Sequence, residues 1–169
     1  MSRAFVRESD DSDHDLNVPV RPQLPPGIPN RITPEGARQL QERLAGLLEN
    51  KQRLVQAESQ TTESEAQLRK AQSDIRQLQS IIESIVVTPA PSSNRDRVCF
   101  GAKVVVTRSN EHEATYRIVG TDEADFDRGY ISWRSPLARS LLSKREGNRV
   151  QFDSPSGLDE FVIKSISYD

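Results

Sequence analysis

A repeating pattern of apolar residues between Thr33 and Val86 constrains the fold of this chain more than any other feature. Apolar side chains recur every three or four residues along two successive segments, which is the spacing of helices that bury one face against each other. The pattern comprises Leu40, Leu44, Leu47 and Leu54, interrupted by Lys51, and then Leu68, Ala71, Ile75, Leu78, Ile82 and Ile85. We therefore predict two helices that share one seam.

The spacing of these segments favours an antiparallel helical hairpin over residues 31–87. Such a pairing places Leu47 opposite Leu78 and puts the apex near Thr62 and Glu63. The arm would then be about 33 Å long from the first leucine of the seam to the apex. Self-association of the helices between chains is the alternative, but the match of facing positions within one chain leads us to expect a monomer.

Both predicted helices begin with residues that satisfy free backbone amides. Thr33 can cap the first helix, and Pro34 suits the first helical position because its missing N–H is not needed there. Thr62 and Glu65 fit a capping box at the start of the second helix.

Two proline-containing segments flank the hairpin. Residues 1–30 combine clustered acids with prolines, a composition that cannot build a core, so we predict a disordered tail. Residues 88–96 contain two prolines among small residues and are predicted to be a linker.

Residues 97–169 have the pattern of a small α+β domain. Residues 98–107 and 114–119 are rich in β-branched side chains and predict two strands joined by a turn. Further strands are predicted at 130–133, 149–153 and 160–168, and Ser135-Pro136 predicts the start of a short helix. The expected content is about five strands and one helix.

Composition narrows the classes of function. The 169 residues carry a net charge of −2, which argues against binding nucleic acid by bulk electrostatics and leaves at most an indirect or weak contact. A single cysteine excludes an internal disulfide, and no apolar run reaches the roughly 18 residues of a membrane span. We expect a cytoplasmic protein without a membrane partner.

Residues for catalysis are nearly absent. The two histidines, His14 and His112, are isolated, so neither a Ser-His-Asp arrangement nor a histidine metal site can be proposed. Cys99, at the head of a predicted strand, is best interpreted as a small core residue. We predict no catalytic residue, no cofactor and no metal site of the chain's own.

Acidic residues supply two candidate sites. Glu58, Glu63 and Glu65 would cluster near the apex and could hold Mg²⁺ together with a partner, although the helix dipole alone favours acids in a first turn. Asp122 and Glu123 begin an acidic run that also includes Asp125 and Asp127. These four are ordinarily solvated loop acids, and the alternative is a patch that contacts a basic partner.

Trp133 also has two interpretations. It is either a core residue or the aromatic anchor of an interface.

The C-terminal residues resemble those of a known family. The motifs are Phe100-Gly101-Ala102, Tyr116-Arg117-Ile118-Val119-Gly120-Thr121-Asp122-Glu123-Ala124-Asp125, Ile131-Ser132-Trp133-Arg134-Ser135-Pro136-Leu137-Ala138-Arg139 and the closing Tyr168. They are similar to the C-terminal domain of the GreA/GreB transcription elongation factors. Thr33-Pro34-Glu35-Gly36 resembles the start of that family's coiled coil.

The resemblance implies a fold, a partner and a docking site. It implies an FKBP-like domain that docks on bacterial RNA polymerase, and a coiled coil that enters the secondary channel, where tip acids help bind the polymerase Mg²⁺ for transcript cleavage. The family's docking loop carries over to Ser135 and Pro136. We expect Arg134, which stands where relatives often have an acid or amide, and the acids Asp122 and Glu123 to belong to the same interface.

The tip departs from the family pattern. Relatives carry a Gly-Asp pair followed by Glu-Asn, whereas this chain has Thr61-Thr62-Glu63-Ser64-Glu65-Ala66, and its arm looks shorter. If Glu65 replaces the family glutamate, Thr62 replaces the aspartate and cannot ligate a metal as a carboxylate would. Two alternatives follow: a polymerase-binding regulator without cleavage activity, like the regulator of nucleoside diphosphate kinase, and a peptidyl-prolyl isomerase, suggested only by the expected fold.

Overall fold

Two helices of 23 residues each form the N-terminal hairpin. Helix α1 spans Pro34–Gln56 and helix α2 spans Thr62–Ser84. The structure, a computed structural model, describes residues 24–56, 61–108, 112–154 and 157–168. The acidic part of the tail and Glu58 therefore lie outside the described residues. No helix within those ranges is long and apolar enough to cross a membrane.

The predicted seam holds the two helices together. Leu40 and Leu78 are buried in one cluster at the lower part of the hairpin, and further apolar side chains pack against it, namely Leu44, Leu47, Ile81, Ile82 and Ile85. Leu47 and Leu78 line the same groove between the helices, as the predicted pairing requires. The intramolecular hairpin is thus confirmed. Helix α1 ends at Gln56 and α2 begins at Thr62, so Thr62 and Glu63 form the first turn of α2 rather than the apex itself.

A pair of short strands closes the base of the hairpin, which the sequence did not predict. Strand β1, Asn30–Ile32, runs parallel to β2, Ile85–Val87, with Ile32 beside Val87. The second helix therefore ends three residues before the predicted boundary. Three consecutive β-branched residues explain this end, because their restricted χ1 angles suit a strand better than a helix. Ile32 is completely buried against the lower end of the seam.

The C-terminal domain is a five-stranded sheet with one short helix. The strands are β3 Lys103–Arg108, β4 Glu113–Val119, β5 Tyr130–Ser132, β6 Arg149–Ser154 and β7 Gly157–Ser167, and the helix is α3 Pro136–Leu141. Their order in the sheet is β5-β4-β3-β7-β6, with β4 and β5 parallel and the other pairs antiparallel. The predicted α+β class, with five strands and one helix beside a helical hairpin, is confirmed.

One face of this sheet forms the larger core with α3. Alternate residues of the central strands point inward, as shown by the completely buried Val104 and Val106 of β3, and Ala138 and Leu141 of α3 cover them. Alternation of this kind is expected for a sheet with one solvated face. Strand β5 lies at the edge of the sheet, and Trp133, between β5 and α3, contacts Arg31 of the hairpin base.

The first strand of this domain begins later than predicted. Residues 98–102 lie outside any strand, and β3 starts only at Lys103, because Gly101 takes a left-handed conformation, with φ of 84°, that breaks an extended strand. Cys99 is accordingly half-buried just before the turn at Phe100 and Gly101, and not at the head of a strand. Its backbone N–H donates to the hydroxyl of Tyr168 at 2.9 Å, and that hydroxyl donates to the carbonyl of Arg97.

Candidate functional site

The predicted docking loop is rigidly held at the start of α3. The Ser135 hydroxyl accepts from the backbone N–H of Ala138 at 3.1 Å, and Pro136 occupies the first helical position. The Ser135 N–H donates to the Ser132 carbonyl at 2.9 Å. A capping serine followed by proline fixes the backbone on both sides of the helix start. Pro136 is exposed, so the loop presents a preorganised surface to solvent.

The residues before Ser135 tie this loop to the sheet. The N–H of Trp133 donates to the carbonyl of Val119 at 2.9 Å, and the N–H of Arg134 donates to the hydroxyl of Ser132 at 3.3 Å. The same Ser132 hydroxyl lies 3.4 Å from that of Thr121. The loop is therefore anchored to β4 and to the 3₁₀ turn Thr121–Glu123 that follows it.

The acids of that 3₁₀ turn join the C-terminal domain to the hairpin. Asp122 accepts a hydrogen bond from the side-chain amide of Asn30 at 2.9 Å. The Glu123 carboxylate accepts from the backbone N–H groups of Thr33, at 2.8 Å, and Gly120, at 2.9 Å, and from the Thr33 hydroxyl. The interpretation of these two residues as solvated loop acids is therefore wrong. Both carboxylates accept hydrogen bonds from residues at the entrance of α1, Asn30 and Thr33.

Two glycines make this close approach possible. A Cβ on Gly36 would lie 2.0 Å from a carboxylate oxygen of Glu123, and a Cβ on Gly120 would lie 2.2 Å from the carbonyl oxygen of Arg31. The Thr33 hydroxyl also accepts from the Gly36 N–H at 3.0 Å, so the predicted cap of α1 is present. A carboxylate at a helix N-terminus is further stabilised by the helix dipole. We call Thr33, Gly36, Gly120 and Glu123 the hairpin junction.

Trp133 is packed as a core residue, the first of the two interpretations considered for it. Its ring packs against the larger core, and the guanidinium of Arg31 from β1 lies 5.6 Å from the ring centroid. The aromatic side chain is thus a core residue that also anchors the base of the hairpin by a cation–π contact. This internal contact leaves Trp133 half-buried beside the docking loop.

At the tip of the hairpin, the cap of α2 is one residue earlier than predicted. The Thr61 hydroxyl accepts from the Ser64 N–H at 3.2 Å, and the Ser64 hydroxyl accepts from the Thr61 N–H at 2.9 Å. Thr62 is instead the first helical residue. The pair Thr61 and Ser64 satisfies two amides with two short side chains, which leaves Glu65 free of the capping role assigned to it.

The tip acids do not converge within the described residues. Glu63 and Glu65 are both exposed in the first turn of α2 and are two residues apart. Positions i and i+2 of a helix point to different sides, so these two carboxylates cannot face one ion together. Among the residues that the structure covers, no group of three or more acidic, histidine or cysteine side chains could hold a metal.

Comparison with known families identifies the C-terminal half of the chain. Residues 92–168 match the family described as "Transcription elongation factor, GreA/GreB, C-term". This match begins in the linker and ends at Tyr168, so it includes the docking loop, Asp122 and Glu123. The hairpin lies outside the matched range.

Individual relatives agree with this match. The chain is 42% identical over 85 residues to transcription elongation factor GreA of Psychrobacter arcticus, covering 50% of this chain and 54% of the relative. It is 44% identical over 85 residues to GreB of Neisseria meningitidis serogroup A, covering 50% and 52%. The chain thus spans about half the length of the curated relatives it matches.

A likeness to solved structures extends over more of the chain. The crystal structure of GreA factor homolog 1 of Thermus thermophilus is 19% identical, with a TM-score of 0.40 over 83% of this chain and 99% of that one.

Proposed function

Residues 92–168 match the GreA/GreB family, and from that premise we propose that the chain is a transcription elongation factor that binds bacterial RNA polymerase. The observation that carries the proposal is the docking loop at Ser135 and Pro136, which combines the family's residues with a rigid, exposed backbone. A preorganised loop loses little conformational entropy on binding, so its contacts contribute more fully to affinity.

The hairpin is the second element of the proposal. Each helix rises about 35 Å over its 23 residues. This arm is long enough to enter a channel in a large partner while the C-terminal domain stays at the entrance. We infer that it enters the secondary channel and thereby modulates paused or backtracked complexes.

The tip favours a factor that occupies the channel without strongly stimulating transcript cleavage. Glu63 and Glu65 diverge around the helix. If Glu65 takes the place of the family glutamate, the place of the family aspartate is taken by Thr62. A hard cation such as Mg²⁺ is held by several oxygen ligands that converge. A single exposed carboxylate is therefore expected to contribute little to holding the polymerase Mg²⁺.

Binding is tested first with purified polymerase from the same organism. The double variant Ser135→Ala, Pro136→Ala should weaken binding about tenfold or more, because it removes the cap and the rigid turn. Ser140→Ala, on the same helix, is the matched control and should bind like the wild type. Failure of the wild-type chain to bind polymerase at all would overturn the proposal.

Cleavage is tested separately on backtracked complexes. We expect the chain to compete with an authentic GreA for polymerase while adding little cleavage of its own. Strong cleavage that disappears in the double variant Glu63→Gln, Glu65→Gln would show instead that the tip acids act on the Mg²⁺.

A further inference from the structure

A polar cleft of about 690 Å³ lies where the hairpin base, the linker and the C-terminal domain meet. The hairpin contributes Thr33 and Glu35, and the linker contributes Arg95. The domain contributes Arg117 from β4 and Arg128 from the loop before β5. Three arginines from separate segments therefore line one concave surface, which no single sequence motif marks.

Two of these arginines are held in place without a carboxylate partner. The Arg95 guanidinium donates to the carbonyl of Pro91 at 3.2 Å and lies 5.7 Å from the ring centroid of Tyr168. The Arg128 guanidinium lies 4.6 Å from the ring centroid of Tyr130. Neither has an acidic side chain within ion-pair distance in the part of the chain that the structure describes. Cation–π contacts orient these cations without neutralising them.

The acid that lines the cleft is already engaged. Both carboxylate oxygens of Glu35 accept from Arg38, at 2.7 and 2.8 Å, and one also accepts from Gln39 at 2.8 Å. The hydrogen bond from Arg38 is the main reason that the pKa of Glu35 lies below its usual range, so this residue stays ionised. Arg117 lies near Glu35 and 5.9 Å from the Tyr130 centroid. The lining therefore retains an excess of positive charge.

We propose that this cleft binds a phosphorylated small molecule of nucleotide size. Guanidinium groups present paired N–H donors that match phosphate oxygens, and an oriented guanidinium loses less freedom on binding than a solvated one. The volume falls within the range of small-molecule sites. The proposal uses none of the residues of the docking loop, and it stands whether or not the chain binds polymerase.

Calorimetric titration of the full chain with pyrophosphate and with ADP tests this site. We expect saturable binding of both with one molecule per chain. Tighter binding of ADP would identify a nucleotide as the ligand, and equal binding would identify phosphate groups alone as the recognised part. Arg95→Gln and Arg128→Gln should each lower the affinity about tenfold, the typical effect of losing one charge-assisted hydrogen-bond pair.

Arg76→Gln provides the matched control, because Arg76 is exposed on α2 and does not line the cleft. It should leave the affinity unchanged. Equal losses in all three variants would show a general charge effect and overturn the proposal, as would the absence of saturable binding at about 1 mM ligand. Arg95 and Arg128 are exposed, and unchanged circular dichroism of their variants will show that a lost affinity is not lost folding.

Discussion

At the hairpin junction, the absence of a side chain at Gly36 allows the start of α1 to approach Glu123 of the C-terminal domain. Gly36→Ala should lower the free energy of unfolding by about 1–3 kcal/mol. The new Cβ would lie 2.0 Å from a Glu123 oxygen and displace the carboxylate, so the buried Thr33 loses its partner. Chemical denaturation measures this change.

Gly46 is the matched control within the same helix. A Cβ there meets nothing within 4 Å, so Gly46→Ala should stabilise the chain by about 1 kcal/mol through helix propensity alone. In a Glu123→Ala background, Gly36→Ala should cost much less, because the side chain that the new Cβ would displace is then absent. Equal stabilisation by both alanines would contradict the role assigned to Glu123.

Tyr168 links stability to alkaline pH. Burial is the main cause that raises its pKa from 10.0 to about 12, so folding favours the neutral phenol. Its contribution is therefore complete below pH 10 and is lost as the pH rises towards 12. Tyr168→Phe should lower stability by about 1 kcal/mol at neutral pH, because the Cys99 N–H and the Arg97 carbonyl lose their partner. The stability difference between wild type and variant should shrink above pH 10, and a constant difference up to pH 12 would contradict this.

Single residues were predictable from sequence where their partners are local. Thr33 and Ser135 cap helices through amides three residues away, and spacing alone identifies both. Glu123 was misread because its partner Thr33 is 90 residues distant, and no periodicity connects the two. The available signal was Gly36 in the first turn of a helix, where glycine is unfavourable unless another group needs the space.

At the scale of elements, substitutions at Thr61 and Thr62 test which of these two residues caps α2. Thr61→Ala should destabilise the chain by about 1 kcal/mol, because it removes the hydroxyl that accepts from Ser64. Thr62→Ala should have little effect or a slightly favourable one, because Thr62 is an exposed helical residue. Thermal denaturation compares the two. A larger loss for Thr62→Ala would restore the cap assignment made from sequence.

Helices and strands whose apolar residues repeat regularly could be predicted from the sequence, but the residues at which they begin and end could not. The seam predicts both long helices because burial repeats along them, and alternation predicts the central strands. The parallel pair β1 and β2 was missed because each strand has only three residues, too few for a pattern. Its pairing joins residues 55 positions apart, such as Asn30 and Ile85, which local propensity does not report.

At the scale of the whole molecule, we expect the protein to be a monomer, and its molar mass in solution tests this. The seam is occupied within one chain, with Leu40, Ala71, Ile75 and Leu78 buried. Light scattering should give a mass near 19.0 kDa, and the thermal midpoint should not depend on protein concentration. A doubled mass, or a midpoint that rises with concentration, would favour helices that pair between chains.

The placement of the hairpin against the C-terminal domain was the property that could be predicted least from the sequence. Each unit could be assigned a fold separately, because each has its own pattern. The arginine cleft exists only once the linker, β4 and the hairpin base are placed side by side. Net charge of −2 for the whole chain hides this local excess of positive charge.

The paired strands β1 and β2 at the hairpin base couple the orientation of the whole helical arm to the hairpin junction. Since β1 and β2 join both ends of the hairpin side by side, any change of angle at Thr33 and Glu123 would move both helices together. With an arm of about 35 Å, a rotation of about 10° there would shift the tip by about 6 Å. The hydrogen bonds of Asp122 and Glu123 and the contact of Arg31 with Trp133 would together set the position of residues at the far end.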